Sequence, residues 1–187
     1  MITRNELPSS EFLNQCFVYN PDTGQLTWRE RPVEHFKCLQ SWRASNTKYA
    51  GKDAGWKNFF YDGTPMNIIV GVGVKKYVAS RVIMAMTGEP LPELVEVDHI
   101  DGDPHNNRRI NLRRATHQQN RINAGVRPDN ASGFPGVVWD KNRNKWKAMI
   151  GVNGKCLNIG RYAAFEAAVS ARKEAEEKYF GEYRRVA

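Results

Sequence analysis

Residues 98–120 read DHIDGDPHNNRRINLRRATHQQN, and this stretch decides how the rest of the chain is read. It sets a carboxylate beside an imidazole, Asp98-His99, and follows them with asparagines at Asn111 and Asn120. One carboxylate plus an amide oxygen suits a hard divalent cation that keeps several of its waters. Histidine is the side chain best placed to take a proton from water near neutral pH. Together these groups are the minimum kit for hydrolysing a phosphodiester.

The local pattern says how the segment folds. Val95 and Val97 alternate with Glu96 and Asp98, the period-2 signature of a half-buried strand. Asp101-Gly102-Asp103-Pro104 supplies turn chemistry, and Ile110-Asn111-Leu112-Arg113 reads as a short return segment. Thr116 then opens a helix, with Gln119 three residues on completing a capping box, which places Asn120 in the first turn. Asp98, Asp101 and Asp103 lack the alternate-residue spacing closed by a bidentate Glu that a calcium loop needs.

In order and spacing these residues resemble the HNH nuclease family, in particular its phage and intron-encoded homing-endonuclease branch. The resemblance implies a ββα-metal hairpin that hydrolyses DNA to 5′-phosphate and 3′-hydroxyl ends with Mg2+ or another divalent cation such as Mn2+. It also implies roles. Asp98 and Asn120 would be the metal ligands, His99 the general base, and Asn111 the residue that braces the hairpin and orients His99. His117 is the rival to Asn120 as last ligand. His105, in the loop, is expected to be solvated or to face phosphate, and His35 lies far away in a polar stretch.

Composition points to the same partner. A chain of 187 residues can bury a core, as one domain or two small ones. Its net charge of +8 favours a polyanion, here double-stranded DNA. The charge is uneven: residues 1–97 and 98–120 carry +1 each, and residues 121–187 carry +6. The DNA-docking module is therefore expected downstream of the chemistry. Cys16, Cys38 and Cys156 are odd in number and form no CxxC pair, so reduced thiols in a cytoplasmic protein and no structural zinc are expected. No apolar run approaches the length of a membrane span, and no membrane partner is expected.

Upstream of the motif, Phe17-Val18-Tyr19 and Gln25-Leu26-Thr27-Trp28 flank Asn20-Pro21-Asp22-Thr23-Gly24 as a hairpin. Residues 30–58 are polar and give no periodic signal. Residues 66–74, MNIIVGVGV, and 76–79 read as two strands. Ser80 is expected to cap the apolar helix Arg81-Val82-Ile83-Met84-Ala85-Met86, ended by Gly88 and sealed by Pro90 and Pro92.

Downstream, the Gly/Pro/Asn-rich residues 125–132, GVRPDNAS, read as a linker. A strand over 134–141 and a second over 145–152 follow, then Asn153-Gly154, a strong type I′ hairpin signal, and a third strand over 155–162. Residues 163–180 form a helix with Phe165, Ala168, Val169, Ala175 and Tyr179 at packing spacing and Gly181 past its end. Ser132-Gly133-Phe134-Pro135-Gly136-Val137-Val138-Trp139, Lys145-Trp146-Lys147-Ala148, Asn158-Ile159-Gly160-Arg161-Tyr162 and Tyr179-Phe180-Gly181 carry a second resemblance. The unit is similar to the Apetala/ethylene-response-factor DNA-binding domain. That similarity implies a sheet laid in the major groove, with Trp139, Lys141, Arg143, Lys145, Trp146, Lys147, Lys155 and Arg161 as contact candidates. Where those domains carry arginines in the first strand, this chain has Pro135 and Val138, so phosphate docking is the expectation rather than base readout. For both tryptophans core packing is the competing role.

The expected architecture is α+β. N-terminal hairpins and a short helix occupy 1–92, a ββα-metal nuclease 93–124, a linker 125–132, and a three-stranded sheet packed on one helix 133–187. The expected activity is that of a phage or mobile-element DNA endonuclease. The alternative is a non-catalytic DNA-binding regulator with a vestigial nuclease motif.

Overall fold

The computed structural model describes residues 6–88, 91–92, 94–123, 126 and 129–184. Pro90, and Gly125, Arg127 and Pro128 of the expected linker, lie outside the described residues. The chain forms two compact units, Met1–His117 and Gln118–Ala187. The division falls at the start of a helix rather than within 125–132, because Val97 and Leu112 pack into the same core as the N-terminal elements.

The first unit opens with α1 (Ser10–Cys16). Its Ser9 hydroxyl accepts the Phe12 N–H at 3.2 Å, satisfying one of the unpaired amides of the first turn. Leu13 and Cys16 point inward. Strands β1 (Phe17–Tyr19) and β2 (Leu26–Trp28) pair antiparallel with Phe17 opposite Trp28. In their turn Asn20 Oδ1 accepts the N–H groups of Asp22 and Thr23.

Helix α2 (Leu39–Tyr49) has no counterpart in the sequence reading, for a physical reason. It buries no residue and so shows no apolar stripe. Side chains anchor it to one backbone position instead: Trp42 Nε1 and Asn46 Nδ2 donate to Arg31 O at 2.8 and 2.9 Å, and Arg31 N donates to Asn46 Oδ1. Strand β3 (Trp56–Phe59) is likewise mostly exposed. It forms the edge of a three-stranded sheet with β4 (Pro65–Val72) at the centre and β5 (Lys75–Val78) beyond.

Helix α3 (Ala79–Met86) starts two residues before the expected Arg81. Val78 occupies the N-cap and Ser80 is a buried residue of the first turn, so Ser80 is not the cap. Val82, Ile83 and Met84 of α3 meet Leu13, Phe17, Val70 and Tyr77 in the core of this unit. Truncating a large buried member such as Phe17 typically costs about 3–5 kcal/mol. Arg81 Nη1 donates to Val95 O at 3.0 Å and ties α3 to β6 (Val95–His99). Strand β6 pairs antiparallel with β7 (Leu112–Thr116), with Asp98 opposite Arg113 and His99 opposite Leu112. Helix α4 (His117–Asn123) follows β7 directly in the chain.

The second unit carries β8 (Val137–Asp140), β9 (Lys145–Val152) and β10 (Lys155–Tyr162), with β9 central, and α5 (Phe165–Phe180). β8 begins later than the sequence suggests. Asn130 Nδ2 and Ser132 Oγ both donate to Phe134 O, holding that end of the segment in a turn. Gly136 then takes φ +73, where an added Cβ would lie 2.6 Å from Arg172 Nε. Asn153 and Gly154 have φ of 50 and 76, as a type I′ turn requires. Val137, Ala148 and Ala168 form the core between sheet and helix, with Trp146, Ile159, Phe165 and Val169 around it. Tyr179, expected in the packing face, is exposed, and the guanidinium-bearing Arg172 is buried instead beside Glu176, 3.1 Å away. Among the described residues no helix is long and apolar enough to cross a membrane.

Candidate active site

The chemistry-bearing side chains of the first unit gather at the end of the β6–β7 hairpin and in the loop that joins its strands. Asp98 is 3% and His99 8% exposed. Burying a carboxylate requires a partner, and the strand register supplies one. Arg113, directly across on β7, places Nε at 2.8 Å and Nη2 at 2.7 Å from Asp98 Oδ2. Once the register is known this pair follows from it, yet sequence alone points only to the acid.

His99 meets a residue that sequence reasoning missed. Its Nε2 lies 2.9 Å from Oδ1 of Asn107, itself only 2% exposed. Asn107 stands in an asparagine pair inside a polar loop, a setting in which turn formation is the ordinary role. Its burial comes from outside the motif. Tyr19 Oη donates to Asn107 O at 2.7 Å, and Arg109 N donates to Pro21 O at 2.9 Å. Gly24, at φ +76, comes so close that an added Cβ would sit 2.6 Å from Arg108 N. The β1–β2 turn thus braces the loop that holds His99.

Asn111 is the brace of the loop. Its Oδ1 accepts from Asp101 N at 3.0 Å, and its Nδ2 donates to Asp101 Oδ1 at 2.9 Å and Asn106 O at 2.7 Å. Asn107 Oδ1, not the side chain of Asn111, is what accepts from His99 Nε2. Burial alone would raise the Asp101 carboxyl. The Asp103 amide, the side chains of Asn106 and Asn111 and the charge of His99 outweigh it and hold the group below the usual carboxylate range.

The remaining histidines separate. His117 sits on Glu96, Nδ1 to Oε1 at 3.1 Å, with its side chain 74% exposed. His105 Nε2 lies 3.2 Å from Asn58 O and its ring meets Phe59 edge-on, so it is fixed against β3. His35 stacks on Phe12, remote in sequence from the motif. Asn120 is the fourth residue of α4. Among the described residues no group of three or more His, Cys, Asp or Glu side chains converges as a closed metal cage.

In the second unit the basic candidates fall into separate groups. Lys141 and Arg143 belong to the β8–β9 turn, and Lys155 begins β10 beside the opposite turn. Lys145 and Lys147 alternate on β9 with Trp146, and Arg161 lies across from Lys147. Trp146 packs against Phe165 of α5 at 4.8 Å and against Trp139 at 5.2 Å. It therefore contributes to the core, and alternation turns Lys145 and Lys147 to the other face. Arg161 on that face donates to Asp140 Oδ2 at 2.8 Å.

Comparison with known proteins bears on the first of these sites. Residues 77–122 match the HNH endonuclease family and include Asp98, His99, Asn107, Asn111 and Asn120. The chain is also similar to Protein 3.8 of Escherichia phage T7, 38% identical over 70 residues. That alignment covers 37% of this chain and 58% of the phage protein, so the chain spans little more than half the length of this relative. No solved structure matches the chain.

Proposed function

We propose that the chain is a metal-dependent DNA endonuclease of phage or mobile-element type, cutting phosphodiesters at the β6–β7 hairpin. The observation that carries this reading is the buried Asp98–His99 pair within the segment that matches the HNH endonuclease family. His99 acts as general base. With Asn107 Oδ1 accepting at Nε2, the neutral ring carries its hydrogen there and offers Nδ1 to a water proton. The oxygen of that water attacks phosphorus as the bond to the 3′ oxygen breaks. Asn111 and Asn107 keep the loop and the imidazole in place, so that little ordering remains for the reaction itself.

The donor set fits a hard cation. Asp98 supplies a carboxylate that is already buried and oriented through Oδ2, and Asn120, four residues beyond the end of β7, supplies an amide oxygen. So sparse a set suits Mg2+ or Mn2+, which keep waters and accept phosphate oxygens. When bound, the cation stabilises the charge that grows on the phosphate and the leaving oxygen.

The second unit docks on double-stranded DNA through Lys145 and Lys147 with the turn cations Lys141 and Arg143, in the manner of an Apetala/ethylene-response-factor-like domain. Lys155 and Arg161 add peripheral phosphate contacts, and Asp140 offsets part of the Arg161 charge. One observation favours a different reading, a DNA-binding regulator with a vestigial motif. The guanidinium of Arg113 already neutralises Asp98. Supercoiled plasmid incubated with the protein distinguishes them. Cleavage requires Mg2+ or Mn2+, stops with a chelator, and is lost more completely in Asp98→Ala than in Asn120→Ala. Binding without cleavage under every metal tested favours the regulator.

A further inference from the structure

Away from the β6–β7 hairpin, the first unit contains an open cleft of about 1010 Å3 walled by rings, among them Phe12, Trp28, Phe36, Tyr49 and Trp56. Trp56 is 47% and Tyr49 40% exposed. Phe12 and Trp28 pack against the core of this unit on one side, whereas Tyr49 and Trp56 lie outside that core and stay exposed in the cleft, which core packing does not demand.

The cations of this cleft are set against ring faces. The Arg31 guanidinium lies 4.7 Å from the Trp28 ring centre and 4.5 Å from that of Phe36. It is held there by the Ser45 hydroxyl, while Trp42 and Asn46 clamp its backbone. Lys76 Nζ stands 5.6 Å from the Trp56 ring centre. The carboxylate among the lining residues, Asp53, accepts a hydrogen bond from Gln25 Nε2 at 2.5 Å. The strand that carries Trp56 also reaches the candidate catalytic loop, through Asn58 O and Phe59 against His105.

We propose that this cleft binds unpaired nucleotides of single-stranded DNA, with a base stacked on Trp56 or on the Arg31-backed rings and a phosphate on Lys76. Aromatic platforms flanked by cations hold single strands because every base has a face to stack. Bases inside a duplex present no such face to a recessed ring. The inference rests on the reading that the chain acts on DNA, and it directs the enzyme toward substrates with an unpaired stretch beside the cut.

The test uses the full chain without divalent metal, so cleavage does not enter. Fluorescence anisotropy measures binding of a labelled oligo(dT) strand and of a blunt duplex. Trp56→Ala weakens single-strand binding by about five- to a hundredfold, the effect of removing one base-stacking ring, and leaves duplex binding within about twofold. Trp56→Phe keeps most of the affinity. In the unaltered chain, a strand carrying 5-iodouracil crosslinks to rings of the cleft. Unchanged single-strand affinity in Trp56→Ala overturns the proposal, as do crosslinks confined to residues 137–162 or single-strand binding competed away by a proline-rich peptide alone. A cleft variant that loses binding in a protein that never cleaves would sink the nuclease reading and spare this one.

Discussion

His99 and Asn107 face each other inside the first unit, Nε2 to Oδ1 at 2.9 Å, and this contact joins the candidate base to the rest of the fold. Asn107 is held in turn by Tyr19 of β1 through its carbonyl, so the orientation of the imidazole depends on a hairpin more than eighty residues upstream in the sequence.

Asn107→Ala should therefore lower the single-turnover cleavage rate while DNA affinity stays within about twofold. It leaves a buried imidazole nitrogen without this partner, at a stability cost of about 1–3 kcal/mol. Single-turnover kinetics at saturating enzyme, with urea denaturation alongside, separates the two effects. A rate equal to that of the parent would show that another group orients His99.

Gly24→Ala tests the same brace from the other side. At φ +76, with Arg108 N and the Asn107 carbonyl carbon both 2.6 Å from the position of a new Cβ, neither strain nor clash is avoidable. Stability should fall by more than the ~1 kcal/mol typical of a point substitution, and cleavage should fall with it because the Asn107 loop must move. Gly51→Ala, also at positive φ but with no atom near a new Cβ, carries the strain alone and should leave cleavage intact.

The acid limb of stability reports on Asp101. Its folded-state carboxyl is lowered, so its contribution is present above the unfolded value of about 3.9. That contribution is lost as pH falls through the lower folded value. Asp101→Asn should lower thermal stability near neutrality, where the contribution is fully present, and flatten its dependence on pH over the acid range. A parent and variant whose melting temperatures fall in parallel below pH 4 would show that Asp101 is not the group titrating.

These contacts also mark what the sequence makes legible. The strand reading of residues 66–74, the alternation in 145–152 and the Asn153-Gly154 turn rest on local signals, and strands are found over Pro65–Val72 and Lys145–Val152. Helix α2 is invisible because Arg31 carbonyl and amide hydrogen bonds, not an apolar stripe, hold it. Ser80 has the composition of a cap, yet the chain turns helical earlier and buries it. Arg172 replaces Tyr179 on the inner face of α5 because Gly136 leaves room for its guanidinium. At the candidate site, Asp98, His99 and Asn111 stand in the order that carries the family resemblance. Asn107 and Arg113 are not legible in this way, since their importance arises from the register of β6 on β7 and from the β1–β2 turn.

The proposed docking of the second unit on DNA would have its own signature. Each phosphate contact contributes about 0.9 to the slope of log affinity against log salt on duplex DNA. Replacing Arg143, Lys145 and Lys147 together by alanine should reduce that slope by about 2–3 with circular dichroism unchanged. An unaltered slope would remove this sheet as the docking surface.

The most direct measurement is the single-turnover cleavage of plasmid DNA by His99→Ala beside the parent protein, in Mg2+ and at equal DNA occupancy. Loss of a general base lowers the rate by about 10²–10⁴, and that is the predicted result, with DNA affinity nearly unchanged. Cleavage by His99→Ala at the parental rate would contradict the assignment of this hairpin as the catalytic centre.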